Sequence, residues 1–264
     1  MFSVYSKKYD CDFQTALKII NKDFRLGLGG EHGALTRELT YETVQLTDKY
    51  YEEIKKEIPL KCLKREWTKA DLQYWEDFGI TLDILKTFNV IPTKAVYKGS
   101  KLIWKNSSSN PIYTYLFPNE KKKKIYRPLE KNRKFKFLSS AEISTVYQGF
   151  DQLPETGDLL IITKSMKDVM TLYSLGYNAI APNGEGYNLD KQFLEFLEYR
   201  FDNIVVLFDN DVAGLEAAKR IYDEHRLFYV LIPSEQFRSK DISEYYYYYG
   251  QQETKKLLIK LFGI

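Results

Sequence analysis

Apolar residues recur at helical spacing near the start of the chain. After Asp12 as a cap, Phe13, Ala16, Leu17, Ile20 and Phe24 share one face, and Gly27, Gly29 and Gly30 end the pattern. This predicts a first helix with one apolar face; Thr36 to Lys56 is polar, mixed in period, and read as helical. Thr68 followed by Asp71 is a cap signature for a short helix carrying Leu72, Trp75 and Phe78 and closed by Gly79. Thr81 caps a second one with Leu82, Leu85 and Phe88. Between Thr93 and Phe137 the texture changes to short alternating or aromatic runs: Lys94 to Tyr97, Leu102 to Trp104, Ile112 to Phe117, Lys124 to Tyr126 and Phe135 to Leu138. Gly, Asn, Ser and Pro break them, which predicts a small, mostly antiparallel sheet.

From Asp158 the pattern alternates strand and helix. The apolar runs are Leu159 to Ile162, Ala179 to Ala181, Ile204 to Phe208 and Tyr229 to Ile232; helical stretches separate them at Met166 to Ser174, Leu189 to Arg200 and Gly214 to His225. Unbroken apolar strands are buried on both faces, as in a parallel sheet covered by helices. The expected fold class is α/β. An N-terminal helical segment (1–60) and a smaller, basic α+β subdomain (61–150) precede a Rossmann-like, mainly parallel domain with a C-terminal helix (151–264).

Composition changes this picture little. With 44% hydrophobic and 28% charged residues the chain has the means to build packed cores, and its net charge of +3 hides a local concentration described below. Cys11 and Cys62, with His32 and His225, give neither a disulfide framework nor a finger-spaced zinc site. A reducing cytoplasm is expected, with no membrane partner. The tyrosine run Tyr245 to Tyr249 suits base stacking, but biased codon usage in an AT-rich genome accounts for it equally well.

Functional groups of a doubly wound sheet collect beyond the carboxyl ends of its strands, and Asp209 and Asp211 sit there, directly after Ile204 to Phe208. Two carboxylates one residue apart supply the hard oxygen ligands that magnesium or manganese with phosphate requires. A turn that merely caps the next helix has the same residues. A calcium loop does not fit, because its fifth and twelfth positions would be Ala213 and Arg220. A second acidic cluster, Lys240, Asp241, Ile242, Ser243 and Glu244, follows the strand ending at Ile232 and favours the metal reading over the turn.

Three ordered strings, Leu159 to Leu172 (LLIITKSMKDVMTL), Asp209 to Gly214 (DNDVAG) and Lys240 to Glu244 (KDISE), together resemble the motifs of Toprim domains, found in bacterial-type primases, topoisomerases and some nucleases. The resemblance places Asp168 on the first-motif Asp, Asp209 and Asp211 on the DxD pair, and Asp241 on the acidic residue of the last motif, and it implies Mg²⁺ or Mn²⁺ held by Asp209, Asp211 and Asp241. The chain departs from the family at Lys164, where a Glu serves as metal ligand or general acid-base. An ammonium there repels a metal but can contact a triphosphate or template phosphate. Glu185, in Asn183-Gly-Glu-Gly186, is the candidate replacement, because neighbouring strands lie only about 5 Å apart. Catalytic roles are thus expected for Glu185, Asp168 and Lys164, and nucleotide binding for Lys164 and Lys240.

Upstream, Ile125 to Leu129, Lys134 to Phe137 and Ser139 to Leu153 resemble the basic subdomain that precedes Toprim in bacterial-type and phage primases, and the first helix resembles the segment following their zinc ribbon, without the ribbon's ligands. Between Lys121 and Lys136 the cations Lys123, Lys124, Arg127, Arg133, Lys134 and Lys136, with Lys121, Lys122 and Lys131, face the single acid Glu130 and alternate with Tyr126, Phe135 and Phe137. That is groove-and-stacking chemistry for single-stranded nucleic acid, though lysine-rich hairpin tips are also commonly just solvated. The resemblance implies a primase making RNA primers from nucleoside triphosphates on single-stranded DNA, with a replicative helicase and a separate zinc-binding module as partners. The competing expectations are a catalytically inactive module that binds single-stranded DNA or replisome partners, and a Toprim nuclease.

Overall fold

A computed structural model describes residues 59–118, 121–140, 146–183, 189–233 and 238–263, all within the compact unit Ile58–Ile264. The helix expected after Asp12, the Thr36 to Lys56 segment and Glu185 lie outside the described residues. No described helix is long and apolar enough to cross a membrane.

The first half is an antiparallel sheet with two short helices on one face. Its strands are β1 (Leu60–Lys64), β2 (Val90–Lys98), β3 (Lys101–Lys105), β4 (Tyr113–Phe117), β5 (Lys122–Tyr126) and β6 (Phe137–Ser139), in the order β1-β2-β4-β5-β6, with β3 also on β2. The helices α1 (Lys69–Glu76) and α2 (Leu82–Thr87) start as their cap signatures predict. Thr68 and Asp71 form a reciprocal capping box, and the Thr81 hydroxyl accepts from the Ile84 amide. Asp71 serves a second purpose. Its carboxylate takes both guanidinium nitrogens of Arg65, at 2.5 and 2.8 Å, and the Tyr113 hydroxyl at 2.8 Å. Burial alone would raise its pKa, but these donors and Thr68 together hold it well below the usual carboxylate range.

The second half is a five-stranded sheet in the order β11-β10-β8-β9-β7, built from β7 (Tyr147–Gln148), β8 (Gly157–Ile162), β9 (Asn178–Pro182), β10 (Phe201–Leu207) and β11 (Phe228–Val230). All pairings are parallel except the short β7 on β9. Helix α3 (Met166–Ser174) covers one face together with α6 (Ile242–Phe262), while α4 (Lys191–Arg200) and α5 (Val212–His225) cover the other. The unbroken apolar strands are buried as their composition requires: Leu160, Ile161 and Ile162 are all inaccessible.

One apolar cluster runs through both halves. Trp75, Leu85, Phe88, Tyr113 and Tyr115 from the first sheet and its helices pack with Met166, Val169 and Met170 of α3 and with Ile242, Leu257 and Leu258 of α6. The tyrosine run forms the start of α6, a helix that kinks at Gly250, where φ is 75°. Tyr245 is buried and Tyr247 stacks on Phe78.

Candidate active site

Chain direction locates the site. From β8 the chain passes through α3 to β9 on one side, and from β10 through α5 to β11 on the other, so a crevice opens between the carboxyl ends of β8 and β10. Lys164 lies in the first of these turns, Asp209 to Asp211 in the second. The third acidic segment is fastened to them by backbone: the Asn210 amide donates to the Lys240 carbonyl at 2.8 Å, and the Asn210 side-chain amide donates to the Ile232 carbonyl. Gly214 makes the turn after β10 possible, since a Cβ there would collide with the Asp209 carbonyl oxygen.

Each acidic side chain has a distinct environment. Asp168, buried in the first turn of α3, accepts from the Ser165 hydroxyl at 2.6 Å and from the Ser243 amide at 3.3 Å. Burial, then the neighbouring Asp241 charge, push its pKa up to about 7 against the opposing pull of Lys167. Asp209 is also buried, and burial raises its pKa despite the Lys164 ammonium, whose Nζ lies 2.5 Å from Asp209 Oδ2; Lys240 Nζ is 3.7 Å from the same oxygen. Asp211 caps α5 by accepting from the Gly214 amide at 2.8 Å, the main reason its pKa is lowered. Asp241 caps α6, accepting from the Glu244 amide at 2.7 Å and the Ser243 hydroxyl at 2.8 Å. The capping alternative raised for the Asp209 to Asp211 turn therefore holds at Asp211, and Asp241 is a cap as well.

Several cations act on this cluster: Lys164 and Lys240 on Asp209 and Asp211, Lys167 on Asp168 and Arg133 on Asp211. Lys136 is depressed first by burial and then by the charges of Lys167, Lys240 and Arg133, with Asp241 opposing them, which places these groups near one another. The side chains of the lysine-rich stripe do not share one face, because successive residues of a strand point to opposite faces. On β5, Lys124 shares the inward face with Tyr126: its ammonium donates to Asn183 Oδ1 at 2.7 Å and lies 4.8 Å from the Phe137 ring centre, and burial lowers its pKa to about 8. Lys123 falls on the opposite face, where its charge acts on Cys62. Arg127 is held by Glu130 at 2.5 Å, by the Phe135 carbonyl at 3.2 Å and over the Trp104 ring. Arg133 and Lys134 are exposed. Lys167, whose ammonium lies 3.9 Å from the centre of the Phe78 ring, was not singled out in the sequence, although it adjoins Asp168 in the first motif.

The residues suit a divalent ion in kind, being hard carboxylates, but not in arrangement. Among the described residues no three His, Cys, Asp or Glu side chains converge as a metal would require. The cation against Asp209 is Lys164. What the crevice offers as arranged is a set of ammonium and guanidinium groups, Lys136, Lys164, Lys167, Lys240 and Arg133, poised over buried acids and suited to a polyanion such as a triphosphate.

Residues 161–246 match the family model described as Toprim-like. No curated protein matches the sequence. Among solved structures, the chain is similar to the catalytic domain of DnaG primase bound to single-stranded DNA (14% identity, 73% of this chain and 72% of that one, TM-score 0.55). It is similar also to the E. coli primase catalytic core (15% identity, 72% of each chain, TM-score 0.53). The zinc-binding and RNA polymerase domains of Aquifex aeolicus primase match over 98% of this chain and 70% of that one, at 16% identity and a TM-score of 0.52. At such identities the likeness is one of fold.

Proposed function

From a chain that carries a Toprim-like domain within the fold of primase catalytic cores, we propose a primase-type nucleotidyltransferase that makes short RNA primers on single-stranded DNA from nucleoside triphosphates. The observation that carries this reading is the meeting of the β8, β10 and α6 motif turns in one crevice rimmed by Lys136, Lys167, Lys240 and Arg133. In this reading the cations hold the triphosphate and neutralise charge as a 3′-hydroxyl attacks the α-phosphorus and pyrophosphate leaves, so catalysis is mostly positioning and electrostatics. The single-stranded template crosses Arg133, Lys134 and Lys136, with the exposed rings of Phe135 and Phe137 for stacking. Asp168, with its raised pKa, holds or releases a proton near neutrality, and Glu185 supplies the carboxylate that Lys164 replaces. A replicative helicase and a separate zinc-binding module are the proposed partners, and magnesium or manganese the proposed cofactor, on terms set by Lys164.

The Lys164–Asp209 contact favours one rival, a module that binds single-stranded DNA without chemistry. A primer-synthesis assay on single-stranded DNA with labelled nucleotides, with and without Mg²⁺, separates the two. Incorporation that requires template supports the polymerase; retained DNA binding without incorporation supports the binding module, and template cleavage a nuclease.

A further inference from the structure

The tyrosine run that opens α6 divides in two. Tyr245 is buried, Tyr246 lies against Gly79, and the Tyr249 hydroxyl accepts from the Arg238 amide at 3.2 Å, so the fold itself uses these three. Tyr247 and Tyr248 stay 52% and 41% exposed, with ring centres 5.2 Å apart. Tyr247 stacks on the half-buried Phe78 at 5.6 Å, and the Lys167 ammonium lies 3.9 Å from the centre of that same Phe78 ring. At the other end the exposed Arg238 places its guanidinium 5.2 Å from the Tyr248 ring centre. The rings therefore form one row, Phe78, Tyr247, Tyr248, with a cation at each end. Single exposed apolar side chains are ordinary, but a contiguous aromatic row marks a surface that something covers. Its place is also defined. Lys167 acts on the buried Asp168, and Tyr247 follows the Asp241 cap by six residues of helix, about 9 Å at 1.5 Å per residue. The row thus begins at the edge of the crevice. Glu244, the acid nearest it in sequence, is turned to the Lys240 amide.

We propose that this row is a stacking track for single-stranded DNA, whose bases lie on Phe78, Tyr247 and Tyr248 while Lys167 and Arg238 meet its phosphates. Flat rings between cations suit a strand of stacked bases joined by anionic links, and they do so without reading sequence. The track is separate from the Arg133, Lys134 and Lys136 contact and lengthens the path of the strand beyond the crevice. It rests on the nucleotidyl-transfer reading only for the choice of strand.

Fluorescence anisotropy of the full chain with labelled oligothymidylate, across a salt series, tests it. Tyr247→Leu and Tyr248→Leu should each weaken binding about fivefold or more with the salt slope unchanged, and Tyr248→Phe should bind as the parent does. Arg238→Gln should instead flatten the slope by up to about one counterion. Parent-like affinity in both leucine variants overturns the inference. A second measurement needs no variant: ultraviolet crosslinking to an oligonucleotide carrying 5-bromodeoxyuridine, read by peptide mass spectrometry, should label Tyr247 or Tyr248. Crosslinks confined to other segments overturn it. Neither readout requires activity. Weakened binding by the leucine variants of a chain that makes no primers would uphold the track and sink the polymerase reading; primers made with parent-like affinity in both variants would do the reverse.

Discussion

Asp168 has surroundings that make a measurable pH response. The folded chain holds its proton up to about pH 7, whereas the unfolded chain releases it near the ordinary value of about 4, so the native state binds more protons across that window. Stability from this group is therefore full below about pH 4 and lost as pH rises through 7. Asp168→Asn keeps the shape and removes the titration. Urea unfolding should show the variant gaining on the parent chain between pH 5 and pH 8, by an amount on the order of 2 kcal/mol. A parallel pH profile for the two chains would mean that the proton sits elsewhere. At this scale the sequence was legible in its acids and not in its cations. Strand ends and spacing singled out Asp209, Asp211 and Asp241, but nothing in the order of residues says that Lys164 closes on Asp209 or that Lys124 turns inward to Asn183. Those are contacts between segments far apart in the chain, settled by the folded backbone.

Among the elements, the turn between β10 and α5 is under the tightest constraint. Gly214 lies in the first turn of α5, with no room for a Cβ against the Asp209 carbonyl oxygen. Gly214→Ala must push the helix off the turn that carries Asp209 and Asp211, at a cost of about 1–3 kcal/mol, typical of overpacking. The expected result is a lower unfolding midpoint together with loss of nucleotide binding; binding that survives intact would show that the turn can give way. The motif contained this glycine, but its reason is a close approach that appears only once helix and strand are placed. The strongly periodic elements followed the sequence closely, with α3 spanning Met166–Ser174 as expected. β1 and the two-residue β7 did not announce themselves: β1 buries little beyond Leu60, and β7 is too short for alternation to register. The start of α6 was hidden in the tyrosine run, where helical periodicity cannot be read because every position is the same residue.

For the whole molecule, the test of the basic rim is its division of labour. Neutralising Arg133, Lys134 and Lys136 together should weaken single-stranded DNA binding and flatten its dependence on salt by up to about three counterions, less where a residue misses the backbone. Changing Lys124 and Arg127 instead should leave the salt slope alone and lower stability, since both are tied into the fold. Fluorescence anisotropy across a salt series, paired with thermal melts, distinguishes the sets; equal slopes for both would return the stripe to a single surface. The same sharing of structure is seen at α3, whose Tyr173 meets Phe88, whose Thr171 hydroxyl donates to the Phe78 carbonyl, and whose first turn holds Asp168. It packs as well on the parallel sheet and on α6. Heredity is bound by that helix: a substitution on α3 is judged by both sheets at once, so the acidic half cannot drift or be exchanged as a cassette unless the antiparallel half changes in step with it.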